Sequence, residues 1–130
     1  MRVLLDTHTL LWYVLADKNL SSVAEAIIAT ADNEVLISPA SYWEIAIKVS
    51  TGKFTLSQSL DTFIGGCQVR YGFRILPIEP LHADRLISLP HFKDHKDPFD
   101  RLLVAQALTE GISIVSNDPQ LDAYGVSRVC

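Results

Sequence analysis

His95-Lys-Asp-Pro-Phe-Asp-Arg-Leu-Leu-Val-Ala-Gln-Ala-Leu-Thr-Glu-Gly111 decides the fold. The stretch reads as a helix start that carries two acids and then turns apolar. Asp97 is a good N-cap, and Pro98 suits the first helical position, where the amide it lacks would be unpaired anyway. Asp100 then stands at the third position, facing unpaired amides and the positive end of the helix dipole. Phe99, Leu102, Leu103, Ala107 and Leu108 form a wide apolar face, and Gly111 is a natural stop. Ile112 to Ser116 reads as a buried strand ended by the turn Asn117-Asp118-Pro119. One helix start and one strand end therefore both carry acid. In a parallel α/β layer those two kinds of end share one edge of the sheet.

Outward from that stretch, the chain alternates. Arg2 to Asp6 is a first strand, and Thr7 to Ala16 a helix apolar on most sides. A helix from Ser21-Ser22 through Ala31, with Glu25 near its cap, leads to a second strand, Glu34 to Ser38. Pro39 starts a helix through Ser50 that Gly52 stops. Ser57 to Tyr71 is a weaker helix that Gly65-Gly66 interrupts. Phe73 to Ile78 is a third strand, Pro80 to Leu89 a short helix, and Ser127 to Cys130 a last short strand. This pattern predicts an α/β fold, a three-layer α/β/α sandwich around a central, mostly parallel sheet. At 130 residues, with no linker or repeat, the chain reads as one domain, residues 1–130.

Composition narrows the function. There are 15 acids against 11 Lys and Arg, a formal charge of −4, which argues against a generic polyanion binder. Setting aside four clustered carboxylates would leave the remaining charges balanced. The two cysteines, Cys67 and Cys130, lie far apart and read as reduced thiols, Cys67 as a small buried hydrophobe. No apolar run has membrane-span length and the start is not signal-like, so the chain reads as cytoplasmic and unattached to membrane.

Five acids fall on the predicted edge, and each has an ordinary alternative. Asp6 suits an N-cap for the helix at Thr7, Glu44 an i,i+4 pair with Lys48, Asp97 a cap, Asp100 a dipole contact, and Asp118 a turn. Glu44, however, sits among Tyr42, Trp43, Ile45, Ala46 and Ile47, which leaves little room for a polar face. A buried carboxylate needs a partner, and carboxylates brought together must take up protons or share a cation. Hard oxygen donors favour Mg²⁺ or Mn²⁺ over zinc. The His91-x-x-x-His95 spacing suits a zinc pair, but it follows Pro90 in a loop without a second ligand pair and is discounted. His8 and His82 read as core-edge or surface residues.

Four of these motifs, in order, resemble those of the PIN-domain ribonucleases: Leu4-Leu5-Asp6-Thr7-His8, Ser41-x-x-Glu44-Ile-Ala-Ile-Lys48, Asp97-Pro-Phe-Asp100-Arg-Leu-Leu-Val-Ala-Gln-Ala107, and Val115-Ser-Asn-Asp118. The length and the Gly52-Lys-Phe54 segment are most similar to VapC toxins of bacterial type II toxin–antitoxin systems. The resemblance implies strand order 3-2-1-4-5 and a catalytic, metal-binding quartet of Asp6, Glu44, Asp100 and Asp118 holding Mg²⁺ or Mn²⁺. It also implies RNA cleavage, a homodimer, and a VapB-type antitoxin lying in the groove. Asp100, directly before Arg101-Leu-Leu-Val-Ala, is taken as the family acid and Asp97 as its secondary neighbour. Thr7 and Ser116 are expected to orient ligands, and Lys48, Lys93, Lys96 and Arg101 to hold the RNA backbone. Two other classes compete. A phosphoacceptor signalling domain would want an acid beside Asp6 and another ending the third strand. A catalytically silent scaffold would not need all four acids.

Overall fold

The fold is that of a computed structural model describing residues 1–130. Its five strands are β1 (Arg2–Leu5), β2 (Glu34–Ile37), β3 (Arg74–Ile75), β4 (Ser113–Val115) and β5 (Arg128–Val129). They form one sheet in the order β3-β2-β1-β4-β5, and every pair is parallel. The helices are α1 (Thr7–Val14), α2 (Ser22–Ala29), α3 (Pro39–Ser50), α4 (Leu60–Tyr71), α5 (Pro80–Ser88), α6 (Pro98–Glu110) and a 3-10 turn, Pro119–Tyr124. The α/β class and strand order are as expected, and the sheet is wholly rather than mostly parallel.

Alternation along the strands makes the layers. Successive side chains leave a strand on opposite faces. Val3 and Leu5 of β1, Val35 and Ile37 of β2, and Val115 of β4 enter a core with Leu10, Ile28, Ile45 and Phe63 from α1 to α4. Leu4, Leu36 and Ile114 enter the opposite core with Leu103, Val104, Ala107 and Leu121. Both faces of the central strands are buried, which is why they read as apolar runs.

Boundaries depart from the sequence reading where backbone geometry intervenes. Helix α1 stops at Val14, because Ala16 takes a left-handed φ of 53°. The Asp17 amide then reaches back to the Trp12 carbonyl at 2.8 Å and closes the helix end. Helix α4 starts at Leu60, capped by Ser59, and Gly65-Gly66 run through it uninterrupted. Strand β3 shrinks to two residues at the sheet edge. Helix α6 begins and ends as read: Asp97 accepts from the Phe99 and Asp100 amides, and Gly111 closes it with a φ of 67°. His82 departs most. It is fully buried, with Nδ1 accepting from the Glu79 amide and Nε2 bonded to Glu110 at 3.0 Å.

Candidate metal centre

Between β1 and β4 the chain switches from building the sheet one way to building it the other. The crevice outside the carboxyl ends of such a pair is where α/β sheets take ligands. Asp6 directly follows β1, and Ser116 and Asp118 follow β4. Asp100 arrives from the first turn of α6 and Glu44 from the inward side of α3.

Asp6 is 5% exposed. Burial pushes its carboxyl above the usual range, opposed by the Ser116 hydroxyl and by nearby His8, and reinforced by the charge of Glu44. Asp6 holds the N-cap position of α1, but its side chain makes no capping bond there, and the Thr7 amide serves only to hold its carboxyl down. Ser116 Oγ donates to Asp6 Oδ2 at 2.6 Å and accepts from the Asp118 amide at 3.1 Å. One hydroxyl thus ties two of the acids together. Thr7 acts elsewhere: its hydroxyl donates to Ser41 at 3.0 Å, pinning α1 against α3 and setting Asp6 relative to Glu44.

Glu44 is 8% exposed. Lys48 meets its Oε2 at 3.2 Å, so the i,i+4 pair is present. Its Oε1 is buried without any hydrogen-bond partner. Asp100 is the most perturbed acid, raised to about 6. Desolvation is the largest cause, and the charges of Asp6 and Asp97 push the same way against a bond from His95. Asp118 Oδ1 also accepts from the Gln120 amide at 3.0 Å, a turn role that leaves its second oxygen available.

The tightest convergence includes a residue that sequence reasoning set aside. Ligand atoms of His95, Asp100 and Asp118 all lie within 4.8 Å of one another. His95, 7% exposed, contacts Asp100 Oδ2 through Nε2 at 3.0 Å and the Tyr124 hydroxyl through Nδ1 at 2.7 Å. His91 stays exposed, so no histidine pair forms. The signal was present in His95 standing five residues before Asp100, just ahead of the first turn of α6.

Among the expected RNA-holding cations, Lys93 and Lys96 are exposed, Lys48 is committed to Glu44, and Arg101 is not on an open face. Arg101 is 8% exposed, donates to the Pro90 carbonyl at 2.7 Å, and lies over the Tyr124 ring. It forms part of the wall of a cavity of about 380 Å³ shared with His91, His95 and Lys96. Its interior partners, rather than solvent, account for its placement.

The donor set fits a hard divalent cation. Several carboxylates stand at the switch point, two of them are raised by burial above all and further by neighbouring carboxylates (Glu44 acting on Asp6, Asp6 and Asp97 on Asp100), and a buried Glu44 oxygen lacks any partner. A cation would offset that repulsion and satisfy that oxygen.

Acids from four separated segments thus stand near the switch-point end of the sheet. A PIN-domain family model matches residues 3–126, and the chain belongs to the PIN-domain family. It is similar to Ribonuclease VapC22 of Mycobacterium tuberculosis, with 29% identity over 122 residues, 94% of this chain and 91% of that protein. VapBC2 from Rickettsia felis, solved bound to a DNA fragment from its promoter, superposes with a TM-score of 0.68. The identity there is 13%, over 99% of this chain and 98% of that one. VapC20 of Mycobacterium tuberculosis, described as a Sarcin-Ricin loop cleaving toxin, gives a TM-score of 0.64 at 16% identity, over 98% of each chain. At such identities the structures speak for the fold alone.

Proposed function

We propose that this chain is a divalent-metal-dependent endoribonuclease, the toxin of a VapBC-type toxin–antitoxin module, folded as a single PIN domain. The observation that supports the reading is that Asp100 and Asp118 approach within 4.8 Å at the switch point, where Asp6 feels the charge of Glu44 and Asp100 that of Asp6, with a Glu44 oxygen buried and unpartnered. Kinship to a named ribonuclease supports it. When bound, Mg²⁺ or Mn²⁺ supplies an activated water and positive charge beside the attacked phosphate. Asp6, Asp100, Glu44 and Asp118 hold the cation. Ser116 fixes the Asp6 carboxylate and the Asp118 backbone, while Lys48 balances one oxygen of Glu44. Lys93 and Lys96, exposed on the loop before α6, draw the RNA backbone towards an otherwise acidic crevice. The phosphoacceptor alternative finds no support, because β3 leads into Leu76-Pro77-Ile78 without an acid.

Partners follow from the surface. Trp43 and Ile47, one turn apart on α3, are 62% and 46% exposed, and Leu15 is exposed as well. Apolar surface of this kind marks an interface. It supports both a homodimer and a groove for a VapB-type antitoxin, and solved structures that share the fold include VapBC complexes. RNA cleavage by partner-free protein, with and without Mn²⁺, tests the activity: cleavage only with the cation is expected, and cleavage unchanged in EDTA refutes the metal site. Light scattering tests association. A mass near twice 14.4 kDa is expected, and 14.4 kDa at all concentrations refutes the homodimer.

A further inference from the structure

His95 lies outside the acid quartet, yet both of its ring nitrogens are bonded. Its ring stands edge-on to Tyr124, with centroids 5.4 Å apart. Its Nδ1 meets the Tyr124 hydroxyl at 2.7 Å and its Nε2 meets Asp100 Oδ2 at 3.0 Å. Tyr124 is itself held: Phe92 packs edge-on against it at 4.9 Å, and Arg101 Nη1 approaches its hydroxyl at 3.4 Å. The direction of these bonds can be worked out from chemistry. A guanidinium has no acceptor, so Arg101 donates to the phenol oxygen. The phenol oxygen could still accept a second bond, but an ionised Asp100 can only accept, so a neutral His95 ring must donate from Nε2 and its bare Nδ1 accepts the phenol proton. The ring proton therefore sits on Nε2 and is donated to Asp100 Oδ2. In the reverse tautomer a bare Nε2 would face a carboxylate oxygen, lone pair against lone pair.

We propose that His95 is a positioning residue for the cation site: the chain Arg101–Tyr124–His95 holds one oxygen of Asp100 and leaves the other directed at the cation. Tyr124 ends the 3-10 turn that Asp118 begins, so the same short segment carries one acid and orients another. The inference rests on Asp100 being a cation ligand, as proposed above. It adds that His95 acts through Asp100 and is not itself a ligand, although its ring lies within 4.8 Å of both Asp100 and Asp118 oxygens.

Nitrogen-15 NMR of the histidine side chains at mildly alkaline pH reads the tautomer directly. The Nε2–H form is expected for His95, without Mg²⁺ and with it. An Nδ1–H form overturns the inference, as does loss of the Nε2 proton on adding Mg²⁺, which would make His95 a ligand. Titration calorimetry with Mn²⁺ on the full chain, without RNA, reads the consequence. Loss of an outer partner of this kind typically weakens cation affinity by about 10-fold or more, and that is expected for His95→Leu. Tyr124→Phe is expected to weaken it by a smaller factor. His95→Gln, whose amide can donate from the Nε2 position, is expected to regain most of the affinity. A purely structural role would lower the melting temperature of both His95 variants and leave affinity unchanged, which also overturns the inference. If the wild-type chain binds neither cation, the metal-dependent reading itself fails. If the wild type binds and His95→Leu binds equally well, only the positioning role fails.

Discussion

Ser116 Oγ donates a 2.6 Å hydrogen bond to Asp6 Oδ2 across 110 residues of sequence. The bond joins the carboxyl ends of the two adjacent strands at the switch point, β1 and β4, and the same oxygen accepts from the Asp118 amide. Ser116→Ala removes both contacts and leaves buried or half-buried polar groups unpaired. A loss of about 1 to 3 kcal/mol is expected in urea unfolding. The Asp6 carboxyl should titrate higher still, because the Ser116 bond is the largest of the contacts that oppose its burial. RNA cleavage should fall with it. Unaltered stability and cleavage would show that the bond orients nothing.

Asp6→Asn separates the charge of Asp6 from its hydrogen bond. The amide oxygen can still accept from Ser116, while the buried charge that faces Glu44 and Asp100 is removed. In EDTA the variant is expected to melt at or above the wild type, with cleavage lost. A clearly lower melting temperature would mean that the carboxylate of Asp6 serves the fold.

Asp97 and Asp100 should part company. Asp97 caps α6 through the Phe99 and Asp100 amides, and Asn caps as well as Asp does. Asp97→Asn should therefore stay stable and active, whereas Asp97→Ala should lose about 1 kcal/mol. Asp100→Asn should be folded and inactive. An Asp97→Asn chain as inactive as Asp100→Asn would exchange their roles.

Stability without metal should depend on pH in a direction that Asp100 dictates. Its carboxyl stands at about 6 in the fold against 3.8 in a free chain. Between those values the native chain holds more protons than the unfolded one, so unfolding free energy falls as pH rises through the window. The melting temperature of EDTA-treated protein should climb as pH is lowered from above 6 towards 4, and Asp6, also raised, adds to the trend. Asp100→Asn should flatten this slope. An equal slope in the variant would assign the effect to other groups.

The sequence by itself determined whatever depends on near neighbours. The cap at Asp97, the proline after it and the stop at Gly111 are read within one helix, since each acts on backbone groups at most a few residues away. Apolar runs bounded by turns marked the strands because both faces of β1, β2 and β4 are buried. The edge strands β3 and β5, two residues each, carry too little pattern to bound. Local spacing also placed acids at strand and helix ends, which a parallel sheet must bring to one edge. Only the tertiary structure decided who meets whom there. Glu44 and Lys48 were paired by helical spacing, but the burial that leaves Glu44 Oε1 unpartnered comes from packing. His95 is set by Tyr124, 29 residues on, and His82 by Glu110, 28 residues on. Arg101 is drawn inward by Pro90 and Tyr124 from the loop and turn on either side of α6. Polar side chains such as these carry no periodic mark, because their bonds are directional and reach across the fold to partners that lie far off in sequence.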